Sequence, residues 1–301
     1  MTDSKEQIES IGNALLVRAP AKINLTLLIA GKRPDGFHEI ETIMAKVDLF
    51  DELLIEPSDK KGIELICKGQ YWAPQSKENL VYRACELLLN STGKSADIKI
   101  TLTKNIPAGS GLGSASSDAA ATIIGLNKYL KISVNNTELA KLAPKLGSDV
   151  AFFFGPTVAL CTGKGEKIKK IEENFNFSAF LLLPDVSVST KRIYENYSHD
   201  PDIYKTLSTK IKGHIRKNRI DLAANLCVNM LEKDCFGLYK ELDALKQKVE
   251  SITERHWCLS GSGSAMFCLL QNKNEMQIGG IKHKLDQING CKSLIVRKNR
   301  W

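Results

Sequence analysis

Short runs of β-branched and aliphatic residues recur at 13–31, 63–67, 97–103, 157–161, 179–184, 256–260, 265–271 and 292–297, and they predict strands there. Between them the apolar positions change to a helical spacing. In 78–91, Leu80, Val81, Ala84, Cys85 and Leu88 share one helix face, and Gly93 follows as a C-cap. The stretch 116–130 repeats the pattern with Ala119, Ala120, Ile123, Ile124 and Leu126, and 236–250 with Leu238, Leu242, Leu245 and Val249. A shorter periodic piece covers 137–146, where Pro144 should kink or end the helix, because proline removes a donor and clashes with the preceding turn. Strands and helices interleaved without a strict βαβ beat imply an α+β fold. The polar stretch 163–177 precedes a fresh strand and places a boundary near 170, giving an N-terminal part of about 1–165 and a C-terminal part of about 166–301. The chain shows no internal repeat.

With 301 residues, 43% of them hydrophobic and 25% charged, the chain is able to bury a substantial core. Its formal charge of +8 favours polyanionic ligands and leaves nucleic acid, lipid headgroups and nucleotide phosphates all open. No apolar run approaches the roughly 18 residues a membrane span needs. The first ten residues, MTDSKEQIES, have neither an apolar signal core nor an Arg-rich transit character, so a cytoplasmic protein without a membrane partner is expected. The eight cysteines show no CxxC pair and sit mostly among apolar neighbours, which suits buried reduced thiols better than zinc or disulfides. One basic run, 205–219, holds six Lys/Arg and no acid. Without interleaved aromatics it reads as a solvated helix or loop, and no nucleic-acid partner is expected.

The most informative segment is Pro107-Ala108-Gly109-Ser110-Gly111-Leu112-Gly113-Ser114-Ala115-Ser116-Ser117, between an expected strand and an expected helix. Glycines let backbone N–H groups approach an anion closely, and a helix N-terminus adds unpaired donors and partial positive charge. A polyphosphate fits that place. Ser114, Ser116 and Ser117 are able to cap the helix, or to meet phosphate oxygens and a magnesium shell. The loop is neither a P-loop, since no lysine follows its last glycine, nor a GxGxxG fingerprint, since its glycines alternate. A second turn, Ser260-Gly261-Ser262-Gly263, makes a shared phosphate-lined cleft more plausible than two separate accidents.

These two loops, with Ala19-Pro20-Ala21-Lys22-Ile23-Asn24-Leu25 and Leu146-Gly147-Ser148-Asp149-Val150-Ala151-Phe152-Phe153, resemble the motif set of the GHMP kinase superfamily. Arg33-Pro34-Asp35-Gly36-Phe37-His38-Glu39 is similar to the DGYH signature of the branch whose alcohol substrate carries a cytidine diphosphate, in non-mevalonate isoprenoid precursor synthesis. Glu78-Asn79-Leu80, Gly163-Lys164-Gly165-Glu166 and the Ser189-Thr190…Tyr194 stretch extend the resemblance from about residue 17 to 297. It implies a two-domain α+β kinase with a ribosomal-S5-domain-2-like N-terminal domain and a ferredoxin-like C-terminal domain, using ATP with Mg²⁺ on a small molecule, as monomer or homodimer. A mevalonate- or homoserine-type kinase and a non-catalytic nucleotide sensor are the alternatives.

By the same resemblance Asp149 is the base that takes the substrate hydroxyl's proton, and Lys22 is the cation beside it. The loop 107–117 and Asn79 belong to ATP, although an Asn before an amphipathic run is also an ordinary helix cap. Asn24, Phe37, His38, Tyr194, Gly261, Ser262 and Gly263 belong to the substrate, with Phe37 and Tyr194 stacking on the cytosine and His38 on its polar edge. The family's loop usually reads GLGGGSS, so the Cβ atoms of Ser114 and Ala115 are expected to narrow the phosphate site.

Overall fold

The computed structural model describes residues 6–172, 175–270 and 275–301. The first five residues, two of the polar stretch 163–177 and position 271 of an expected strand lie outside them. Among the described residues one sheet has seven strands: β1 (Ile8–Ile11), β2 (Ala14–Lys32), β3 (His38–Pro57), β4 (Ile63–Gly69), β5 (Ile98–Lys104), β6 (Val158–Gly163) and β7 (Lys167–Lys170). Its order is β1-β2-β3-β5-β4, with β6 pairing a different stretch of β3 and β7 pairing β6. All pairs are antiparallel except β4 with β5. Helices α1 (Leu80–Thr92), α2 (Ser114–Tyr129), α3 (Asn136–Ala140) and α4 (Val150–Phe154) complete this half.

The second sheet contains β8 (Ser178–Pro184), β9 (Cys258–Leu259), β10 (Met266–Leu269) and β11 (Cys291–Arg297) in the order β11-β8-β10-β9. This 4-1-3-2 antiparallel order is the ferredoxin-like arrangement expected. Helices α5 (Thr190–Asn196), α6 (Pro201–Arg216), α7 (Ile220–Asn225), α8 (Glu232–Leu238) and α9 (Lys240–Thr253) lie between β8 and β9, and α10 (Glu275–Asp286) lies between β10 and β11. No described helix is long and apolar enough to cross a membrane. The first sheet runs to Lys170, past residue 165, and the second begins at Ser178.

The periodic helices form close to where the apolar spacing puts them. Asn79 caps α1 by accepting the N–H of Val81, and Gly93 ends it at φ +64°. The 236–250 pattern splits into α8 and α9, while the 137–146 pattern stops at Ala140, with Pro144 in the separate 3₁₀ turn Ala143–Lys145. Two differences matter more. Twenty-residue β3 has no counterpart among the expected strands, because its alternation is broken by Glu41, Lys46 and Asp51. All three are buried and paired: Glu41 with Lys212, Lys46 with the carbonyls of Phe153 and Gly155, and Asp51 with Lys104. Not all cysteines are free thiols, since Cys227 and Cys258 form a disulfide, and Cys67 and Cys291 are only half-buried. His256 lies close to that pair.

The basic run falls largely on α6, whose Ser208 and Ile211 are buried against the first sheet. Lys212 spends its charge on Glu41 at 2.7 Å, which fits a solvated amphipathic helix.

On β2 a register shift between Pro20 and Ala21 changes which face its side chains meet. Val17 and Ala19 join the core under α1 and α2, whereas Ala21, Ile23 and Leu25 join the core shared with Phe177, Leu181 and Phe267 of the C-terminal half. The intervening Lys22 and Asn24 face the other way.

Candidate active site

A cavity of about 780 Å³ opens between the halves, lined among others by Lys22, Asn24, Phe37, His38, Asp149 and Tyr194. Lys22 is only 3% exposed. Its ammonium lies 3.9 Å from Asp149 Oδ2 and donates to Asn24 Oδ1 at 2.5 Å. Asn24 in turn donates to Thr42 Oγ1 at 2.8 Å, so the lysine's neighbour is itself fixed across the β2–β3 pairing. Burial lowers the Lys22 pKa below the ordinary lysine value, and the charge of Asp149 opposes that shift. Asp149 stands at the N-cap of α4 yet makes no capping hydrogen bond with its side chain. Its carboxylate is left for the cavity.

The glycine loop meets this pair from the other side. Leu112 O accepts the N–H of Lys22, which ties the loop to β2. Gly109, Gly111 and Gly113 all have positive φ. The N-cap of the sixteen-residue α2 is Gly113 at φ +70°, with no side-chain cap, so its first-turn amides have no hydroxyl competing for them. The serines therefore do not cap the helix. A Cβ on Gly111 would come within 1.9 Å of Ser260 O, which shows how closely the two glycine turns pack. Ser260 also donates to Gly111 O at 3.0 Å, and the N–H of Ala265 to Ser110 O at 3.0 Å.

Not every expected loop residue faces the cavity. Gly111, Gly113 and Ser116 line it, as do Gly261 and Ser262, whereas Pro107, Ala108, Gly109, Ser110, Leu112, Ala115, Ser117 and Gly263 do not. Leu112 is core, and Ser110 donates its hydroxyl to Pro107 O. Ser114 does not narrow the cavity: its hydroxyl points into a buried cluster of Asp51, Lys104 and Ile106 O, while Ala115 is exposed. Asn79 is also away from the lining. Its amide is used up on Val81 N, Pro74 O and Cys67 Sγ.

At the far end of the cavity the turn after β2 closes with Arg33 N donating to Phe37 O, leaving Phe37 57% exposed. His38 packs on Tyr194 with ring centroids 5.1 Å apart. Burial, with Lys32 and His199 nearby, lowers the His38 pKa and keeps the ring neutral at pH 7. Lys32, Lys164 and Lys191 line the cavity as well. Lys164 stands 4.4 Å over the Phe37 ring and 3.5 Å from Asp35. Of these, Lys164 lies inside a recognisable Gly163–Glu166 motif, but nothing local marks Lys32 or Lys191, because isolated lysines are usually surface charges. Thr190, whose hydroxyl is 2.7 Å from that of Ser262, likewise sits in a motif that carried no assigned role.

The family model "GHMP kinases N terminal domain" matches residues 79–155. A 4-diphosphocytidyl-2-C-methyl-D-erythritol kinase of Bacillus pumilus (strain SAFR-032) is 35% identical over 276 residues, 91% of this chain and 95% of that protein. One from Geobacillus sp. (strain WCH70) is 36% identical over the same shares. A crystal structure of 4-(cytidine 5'-diphospho)-2C-methyl-D-erythritol kinase superposes with a TM-score of 0.72 at 29% identity, covering 93% of this chain and 98% of the other. A homoserine kinase from Cytophaga hutchinsonii gives 0.76 at 22% identity over 98% of both chains, which shows the shared fold.

Proposed function

We propose, for a chain that belongs to the 4-diphosphocytidyl-2-C-methyl-D-erythritol kinase family within the GHMP kinases, that it transfers the γ-phosphoryl of ATP to the 2-hydroxyl of 4-diphosphocytidyl-2-C-methyl-D-erythritol. The observation that carries this reading is the placement of the Lys22–Asp149 pair beside the uncapped N-terminus of α2, in one cavity with Phe37, His38 and Tyr194. An alcohol attacking phosphorus must lose its proton as charge spreads over the transferred group. Asp149 accepts that proton, and Lys22 steadies the developing negative charge. The amides of Gly113 and the first turn of α2 hold the triphosphate in line with the acceptor.

Gly111 and Gly113 line the cavity, and without a Cβ they pack directly against Ser260 and against Lys22 and Phe153, which brings the loop amides up to the Lys22–Asp149 pair. A magnesium ion accompanying ATP would be held by the hydroxyl of Ser116, a cavity-lining oxygen donor, and would supply neutralisation of the triphosphate charge. At the other end neutral His38 offers one donor and one acceptor to a cytosine edge, with Tyr194 and Phe37 supplying aromatic faces. Lys32, Lys164 and Lys191 provide positive charge for the diphosphate between.

Turnover of the cytidylated alcohol, with mevalonate and homoserine left unphosphorylated in parallel assays of ADP release, is the expected result. Preferential use of mevalonate would refute the assignment, and ATP binding without turnover of any alcohol would make the chain a sensor. In the same assay Phe37→Ala should raise the acceptor KM about tenfold, as stacking on a base contributes roughly 1–3 kcal/mol. The ATP KM should stay unchanged.

A pH dependence follows from Lys22. Its protonated form is the working one, and burial lowers its pKa, so kcat should fall with rising pH at values below the ordinary lysine range. A pH–rate profile flat beyond about 10.4, the ordinary lysine pKa, would separate Lys22 from the chemistry.

A further inference from the structure

The glycine loop is held from behind by a cluster of charges that does not line the cavity. Asp51 on β3 is fully buried, with Lys104, Ser114 and Asp118 between 2% and 4% exposed. Asp51 Oδ1 accepts the N–H groups of Asn105 at 2.5 Å and Ile106 at 2.9 Å. Its Oδ2 accepts the Ser114 hydroxyl at 2.9 Å and the ammonium of Lys104. Lys104 also donates to Ser114 Oγ and, at 2.6 Å, to Asp118 Oδ2 one turn further along α2. One carboxylate therefore grips the chain just before the loop, at 105 and 106, and just after it, at the first residue of α2.

That geometry has a cost and a use. Two carboxylates share one lysine in a dry site, and burial beside Asp51 raises the Asp118 carboxyl well above the usual carboxylate range. Every donor of Lys104 is spent on Asp51, Ser114 or Asp118, which fixes the end of β5 to the start of α2. Between those two points the loop has positive φ at alternate glycines, with Ser110 donating to Pro107 O and Leu112 buried in the core.

We infer that Ser114, with Asp51 and Lys104, is a positioning residue for the nucleotide: it sets both ends of the glycine loop so that the amide cradle exists before ATP arrives. This rests on the reading of that loop as the triphosphate site. A preset loop spends less of the binding free energy on its own ordering, so loss of the tether should weaken nucleotide binding and leave the chemical step alone.

Ser114→Ala tests this, since it removes one hydroxyl and leaves the Lys104 ion pairs in place. Isothermal titration with MgADP and steady-state kinetics should show affinity and ATP KM weakened about tenfold, as expected for a lost hydrogen bond to charged groups. The kcat should remain within about twofold, and hydrogen exchange of amides 109–113 in the nucleotide-free protein should quicken by a similar tenfold factor. Asp51→Asn should move the same quantities further in the same direction; if it does not fold, the Ser114→Ala result stands alone. Unchanged nucleotide affinity with a lower melting temperature would overturn the inference, because the hydroxyl would then serve only stability. A lower kcat at unchanged KM would overturn it too, by placing Ser114 on the reacting phosphoryl group. If wild-type protein binds no MgADP, the nucleotide reading of the loop fails first; if it binds and Ser114→Ala binds equally well, the inference alone fails.

Discussion

Asp149→Asn should lower kcat by about three orders of magnitude, within the 10²–10⁴ range that removal of a positioned general base costs. The amide is nearly the same size and cannot take a proton. Because Asp149 makes no capping bond, the substitution should leave α4 and the fold intact. KM for ATP and for the acceptor should stay within about threefold, as uniform binding is untouched when only a transition-state interaction is removed. A second readout reports the charge of Asp149 beside Lys22. Asp149 is the largest influence raising the Lys22 pKa, so its neutralisation should move the alkaline limb of any residual activity to still lower pH. Equal rates of ADP release by wild type and variant would show that another group takes the proton.

Gly111→Ala should be the most damaging single methyl group in the molecule. Its Cβ would lie 1.9 Å from Ser260 O, 2.9 Å from Ser260 C and 3.2 Å from Gly263 N, all main-chain atoms without freedom to swing aside. The φ of +76° adds strain of its own. The two glycine turns must part, and with them the Gly111–Gly113 side of the cavity leaves the Ser260–Gly263 side. A displacement on the order of 1 Å costs about 10²-fold in rate, so kcat/KM should fall at least that far for both substrates. Overpacking should also remove about 1–3 kcal/mol of stability. Gly62→Ala is the matched control: its φ is +84° but nothing lies within 4 Å of the added Cβ. It should lose some stability and keep its kinetics. Wild-type kcat/KM in a folded Gly111→Ala protein would mean that the contact between the loops is dispensable.

Much of the fold is legible in the apolar spacing because burial of one face is a local, periodic requirement. Helices α1 and α2 and the long β2 follow from it, and Gly93 marks its helix end by the positive φ that a glycine tolerates. The site is legible in part for a similar reason. Glycines at alternate positions before a helix are a backbone device, visible without a partner, and Lys22 and Asn24 share a face by strand parity alone. Asn79 shows the limit of that reading. Its place before α1 allows either a cap or a ligand contact, and the hydrogen bonds to Val81, Pro74 and Cys67 take up its amide.

What escaped the sequence is wherever a charge is buried. Glu41, Lys46 and Asp51 break the alternation of β3 and hide the strand, since a charged residue looks like a surface residue until its partner is known. Those partners lie far along the chain: Lys104 is 53 residues from Asp51, and Phe153 is 107 from Lys46. Ser114 belongs to the same class, a loop serine by sequence and a buried tether by contact. The sequence by itself determined most element types and the phosphate-suited loop, because each depends on neighbours a few residues away, while Lys22 and Asp149 were candidates through the family resemblance alone. Only the tertiary structure decided which side chains face the cavity and which brace it, because desolvated charges take their roles from partners that folding alone brings within hydrogen-bonding distance.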